Sequence, residues 1–145
     1  MILAYADASV DDPLYAVGYV LYRTDGPQDE LLDTGCRVWN ATVDSREIDW
    51  CIQTAEYYAG IIATRAALEY THHPIVLCLD NREVVESMKQ QDGRWDEYFS
   101  HALLSFLPRF DDYTIRVVHR THNETAHRQA STGLQIAREI HEEVV

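Results

Sequence analysis

Lysine is almost absent from this chain. Of its 12 basic residues only Lys89 is a lysine, and they face 24 aspartates and glutamates, giving a formal net charge of -12 over 145 residues. Proteins that bind nucleic acid gain affinity by replacing condensed counterions with Lys and Arg, so this balance opposes nonspecific binding to polyanions. It fits a protein adapted to a very salty cytosol better than a plain non-binder. There, repulsion is screened within ~3 Å at 1 M salt, and surplus carboxylates keep the surface hydrated. Cysteine is scarce too. Cys36, Cys51 and Cys78 are odd in number and form no CxxC pair, which excludes a disulfide framework or a zinc ribbon and predicts reduced, mostly buried thiols. No stretch approaches the roughly 20 apolar residues of a membrane span. The opening MILAYADASV lacks the basic region and cleavage site of a signal peptide, so a soluble, cytoplasmic protein without a membrane partner is expected. A Gly-rich phosphate loop and a nucleophile elbow are also missing.

What is present reads as one α/β domain, since the length is that of a common single domain and no repeat or Pro/Ser-rich linker divides it. The run from Ile2 to Ala8 is strand-like. Tyr15 to Thr24 is rich in Tyr and Val, Asp25-Gly26 signals a turn, and Glu30 to Trp39 completes a third antiparallel strand. After an irregular polar stretch, Asn40 to Trp50, a helical pattern runs from Thr54 to Tyr70 and is ended by His72-His73-Pro74. The unbroken apolar run Ile75-Val76-Leu77-Cys78-Leu79 predicts a strand buried on both faces in a parallel part of the sheet. Helices are predicted over Asn81 to Gln91 and Asp96 to Leu107, interrupted at Gly93. A strand follows over Tyr113 to Val118, and a last helix begins at Asn123. The order βββ-α-β-α-α-β-α implies a mixed five-stranded sheet flanked by helices.

Four polar side chains stand where this architecture would gather them. Asp7 sits inside the first strand, where aspartate is disfavoured, on the face of Leu3 and Tyr5; its plainer role is a strand-end turn. Glu56, in the first turn of its helix, shares a stripe with Gly60, Ala63 and Ala67. Favourable helix-dipole placement, with Thr54 as cap, is the alternative. Asp80 follows the buried strand at the carboxyl edge where α/β sheets present ligands. It also opens a capping-box sequence, in which Asn81 can cap while Asp80 points into a site. His127 shares the stripe of Ala130 and Leu134 behind Asn123, a good N-cap, and alone would read as a satisfied core histidine. Their convergence is what favours chemistry. Mg²⁺ and Mn²⁺ prefer carboxylate oxygens, and a pair of ions about 4 Å apart can activate a water and stabilise the leaving oxygen of a phosphoryl displacement. The cations also offset the repulsion of clustered carboxylates. Trp95 reads as core rather than a stacking platform. His119, Arg120 and His122 lie just before the last helix, either as phosphate or proton-transfer groups or as solvated loop.

Across nearly the whole chain, YADAS, TAEYYAGIIATRAALEY, LCLDNREVVESM, GRW and VVHRTHNETAHRQA come in an order that resembles the type 1 ribonuclease H family, particularly its compact archaeal-like members. The resemblance implies a ribonuclease-H-like fold with Asp7, Glu56 and Asp80 as metal-binding acids. Asp7 would touch both of two Mg²⁺ or Mn²⁺ ions. It implies hydrolysis of the RNA strand of an RNA/DNA hybrid by a monomer, with Ser9, Gln53, Asn81, Arg120 and His122 as substrate contacts. Two positions depart from the family. His127 stands where a fourth acid is usual, which shifts metal preference towards Mn²⁺ or weakens one ion site. Ile52-Gln53 replaces an Asn pair that reads the RNA backbone. The alternatives are a nuclease of this fold acting on another nucleic acid such as branched DNA, and a catalytically silent nucleic-acid or protein-binding module.

Overall fold

The computed structural model describes residues 1–43 and 48–144, with side chains through residue 140. Three antiparallel strands come first: β1 (Ile2–Asp11), β2 (Leu14–Arg23) and β3 (Glu30–Asn40). Helix α1 (Ile52–Leu68) leads to β4 (Ile75–Leu79). Helices α2 (Arg82–Gln90) and α3 (Glu97–Phe106) then precede β5 (Tyr113–Val117), and α4 (Glu124–Val144) is last. The sheet order is β3-β2-β1-β4-β5, with β1–β4 and β4–β5 parallel, as the βββ-α-β-α-α-β-α reading predicts. Of the predicted irregular stretch 40–50, residues 44–47 lie outside the described residues. No described helix is long and apolar enough to cross a membrane.

Alternation along the strands sorts side chains between two layers. Ala4, Ala6 and Ala8 of β1, with Val17 and Leu21 of β2, join α1, α2 and α3 in the main core. Leu14 and Ala16 of β2 meet Ala130 and Leu134 of α4 on the opposite face. All five residues of β4 are buried, so a side chain such as Leu77 contributes about 1.5–3 kcal/mol through burial. The small residues of α1 let it settle closely on this strand. A Cβ at Gly60 would come within 2.9 Å of Met88 Cε and 3.4 Å of Leu77 Cδ2. The other face is tighter still at Gly18, where a Cβ would sit 2.5 Å from both the Ala126 carbonyl oxygen and the Ala130 amide nitrogen of α4.

The start of α1 differs from the prediction. The helix begins at Ile52, so Thr54 is inside the first turn rather than capping it, and Glu56 is the fifth helical residue. Aromatic packing explains the shift. Trp50 lies 4.6 Å from Trp39 and 5.8 Å from Phe99, ring centre to centre, and its carbonyl accepts a 3.0 Å hydrogen bond from the Tyr15 hydroxyl. Pinned there, the chain reaches Cys51 with extended backbone, and the Cys51 carbonyl accepts from the Ala55 amide at 3.0 Å. Thr54 Oγ1 donates back to the Asp49 carbonyl at 3.0 Å, tying down the approach to the helix. Strand β1 likewise runs past the predicted Ala8 end, because its pairing with β2 continues to Asp11↔Leu14. The expectation of mostly buried thiols holds only for Cys78. Cys36 is exposed on the sheet-edge strand β3, and Cys51, at a helix start, is half-buried. Trp95 packs partly buried against the main core, as predicted.

Candidate metal centre

The parallel pairing of β1 with β4 ends at Tyr5↔Cys78, although β1 continues six residues further, to Asp11. Asp7 lies on β1 beyond the last pair, Asp80 directly follows β4, and Glu56 reaches over them from α1. One carboxylate oxygen from each lies within 4.8 Å of the other two. Asp7 is 3% exposed and Glu56 5%, whereas Asp80 is half-buried.

Gathering acids out of water disfavours their charged forms. Burial, then the Asp7 charge and a hydrogen bond to it, push the Glu56 carboxyl well above its ordinary range, against one stabilising bond from the Ala8 amide. Asp80 is also raised, by burial and by Asp7, and is partly relieved by a hydrogen bond from Asn123 and by the charges of Arg120 and His127. Glu56 Oε2 is buried with no partner. A donor set of hard oxygens, one of them orphaned and all mutually repelling, fits Mg²⁺ or Mn²⁺. A divalent ion of either kind would supply the missing partner and favour the charged carboxylates.

The last helix is fastened to this cluster. His127 Nδ1 lies 2.7 Å from Asp7 Oδ2, with the His side chain 49% exposed. Its imidazole thus stands against Asp7, beside the three acids rather than among them. Asn123 does not cap α4 through its side chain, contrary to the prediction: Nδ2 donates to the Ala6 carbonyl at 2.8 Å, and Oδ1 is buried without a partner. At Asp80-Asn81 the two sequence roles separate as anticipated. Asn81 Oδ1 accepts from the Val84 amide at 3.2 Å and caps α2, leaving Asp80 in the cluster.

A cavity of about 590 Å³ opens over the acids. Of the predicted substrate contacts, Gln53, Asn81 and Arg120 line it. His122 instead lines a neighbouring groove with Tyr5 and Tyr22, and Ser9 lies on β1 outside the cavity lining. Arg82, not among the predicted site residues, also lines the cavity as the first residue of α2. Its position two residues after Asp80 was the available signal. The sequence context of Asn123 is that of an ordinary helix cap.

The family described as reverse transcriptase-like matches residues 31–133. No curated protein matches the sequence. Among solved structures, RNase H1 from the halophilic archaeon Halobacterium salinarum NRC-1 is 28% identical with a TM-score of 0.73, over 92% of this chain and 97% of that one. The N-terminal RNase H domain of rv2228c from Mycobacterium tuberculosis, solved as a fusion with maltose binding protein, is 19% identical with a TM-score of 0.75, over 95% and 96% of the two chains. LC11-RNase H1, solved in complex with an RNA/DNA hybrid, shares the fold at 14% identity and a TM-score of 0.73, over 94% of this chain and 99% of that one. With a family match across more than half its length, and with the sheet order and helix placement of these structures, the chain belongs to the ribonuclease H family.

Proposed function

We propose that this protein is an endoribonuclease that hydrolyses the RNA strand of RNA/DNA hybrids with two divalent ions, Mg²⁺ or Mn²⁺. The observation that carries the reading is the meeting of Asp7, Glu56 and Asp80 within 4.8 Å at the point where β1 and β4 part. The hybrid bound by LC11-RNase H1 supports the substrate class. Asp7, Glu56 and Asp80 would hold the ions, with His127, whose Nδ1 is engaged by Asp7, offering its other ring nitrogen as the fourth ligand. Ions bound there would acidify a water and stabilise charge on the leaving oxygen.

The chain's own residues prepare the site. His127 fixes the rotamer of Asp7 through its 2.7 Å contact, so one carboxylate oxygen is oriented before any ligand arrives. Gln53 lines the cavity from the first turn of α1, where an amide can both donate to and accept from a ribose 2′-hydroxyl, the group that distinguishes RNA from DNA. Asn81 has committed its oxygen to the α2 cap and keeps Nδ2 as a donor. Arg82 and Arg120 border the acids on the cavity wall and offer guanidinium forks to phosphates. In a chain of charge -12, such local positive groups must do what a general basic surface does elsewhere.

The test is cleavage of a labelled hybrid by the purified protein in Mg²⁺, in Mn²⁺ and in excess chelator. Cleavage is expected only with a divalent ion. Asp7→Asn, which keeps shape but removes the charge, should bring the rate to background without unfolding the protein. Equal cleavage in chelator would sink the metal-dependent reading. Cutting of branched DNA with the hybrid left intact would replace the substrate.

A further inference from the structure

Where β1 and β4 part, a backbone carbonyl loses its partner strand: the ladder stops at Tyr5↔Cys78, so Ala6 has no register mate on β4. The Asn123 side chain fills that gap. It is 1% exposed, and its Nδ2 donates to the Ala6 carbonyl at 2.8 Å. It also faces the Asp80 carboxylate, whose charged form it favours. Both neighbours are acceptors, a carbonyl and a carboxylate. Only the NH₂ end of the amide can face them, which fixes the orientation and strands Oδ1 in the interior without a partner. A residue serving only as a helix cap would spend that oxygen on an amide of α4. Here the helix forgoes the cap, and the amide serves the cluster instead.

We infer that Asn123 is a positioning residue for the metal centre, tying the first turn of α4 to the backbone that carries Asp7. The inference rests on the metal-dependent reading above and deepens it. The Asn123 carbonyl accepts from the His127 amide at 3.0 Å, so the turn that presents Asn123 also presents His127 to Asp7. The first turn of α4 therefore grips Ala6 and Asp7 together, where the pairing of β1 with β4 has ended. Groups that orient metal-binding carboxylates typically alter affinity by about 10–100-fold when removed.

Two variants test this, Asn123→Ala, which removes both donors, and Asn123→Ser, which keeps one short donor. Each is measured by calorimetric titration with Mn²⁺, by melting in chelator, and by kcat and KM on hybrid. For Asn123→Ala, Mn²⁺ affinity should fall about 10–100-fold, and kcat should fall while KM for the hybrid stays near the wild-type value. Asn123→Ser should lie between Ala and wild type. A purely structural role would lower the melting temperature in chelator and leave affinity and kcat of the folded protein unchanged. Wild-type Mn²⁺ affinity in the folded Asn123→Ala variant, in an assay where Asp80→Asn weakens binding, overturns the inference and leaves the metal-dependent reading standing. Failure of the wild-type protein itself to bind Mn²⁺ overturns both.

Discussion

At position 127 an imidazole occupies the place from which a side chain on α4 reaches Asp7, and it does so through Nδ1. Nitrogen is a poorer donor for Mg²⁺ than for Mn²⁺, whereas carboxylate oxygen suits both. His127→Asp should therefore remain active and move the ratio of cleavage rates towards Mg²⁺. His127→Ala should lose about tenfold or more, since it removes both a ligand and the group that orients Asp7. Rates in the two metals, with a melting curve for each variant, check this; a folded His127→Asp protein with an unchanged metal ratio counts against ligation. The acids were legible in the sequence because three residues with separate mundane explanations fell at a strand, a helix and a strand end that one architecture brings together. Asn123 was not legible in the same way. An asparagine before a helix already has an ordinary meaning, and what redirects it is a carbonyl 117 residues away.

Among the elements, α4 depends on an approach that only glycine permits. Gly18 pairs with Asp7 across the β1–β2 ladder, and its missing side chain makes room for the backbone of α4 at Ala126 and Ala130. Backbone cannot rotate away as a side chain can. Gly18→Ala should cost about 1–3 kcal/mol by overpacking, a fall of roughly 2–12 °C in the melting midpoint. It should also weaken Mn²⁺ binding by lifting Asn123 and His127 from the acids. A variant with wild-type stability and Mn²⁺ affinity would show that α4 can seat without this contact. The order and type of the elements could be read from periodicity, most plainly at β4, where an apolar run between turn signals could be little else. The start of α1 could not. It is set by Trp50 lodged between Trp39 and Phe99, partners 11 and 49 residues away that no local window joins.

For the whole molecule the governing quantity is the net charge of -12. Self-repulsion acts across the protein when the Debye length is ~30 Å, at 0.01 M salt, and hardly beyond neighbouring atoms when it is ~3 Å, at 1 M. The thermal midpoint should therefore rise by several degrees between these KCl concentrations, read by calorimetry in chelator so that divalent binding does not contribute. A midpoint that fell steadily would mean that the acidic surface is no adaptation to salt. The bonds from α4 to β1 also have a consequence in time. Asn123 reaches back 117 residues to Ala6, and His127 reaches back 120 to Asp7. A chain is made from its amino end, so the strands and the three acids exist before the helix that orders them. Until residue 127 has left the ribosome, the growing polypeptide carries the acids without their clamp. On the proposed reading, the nuclease stays unarmed until the helix that orders its acids has been made.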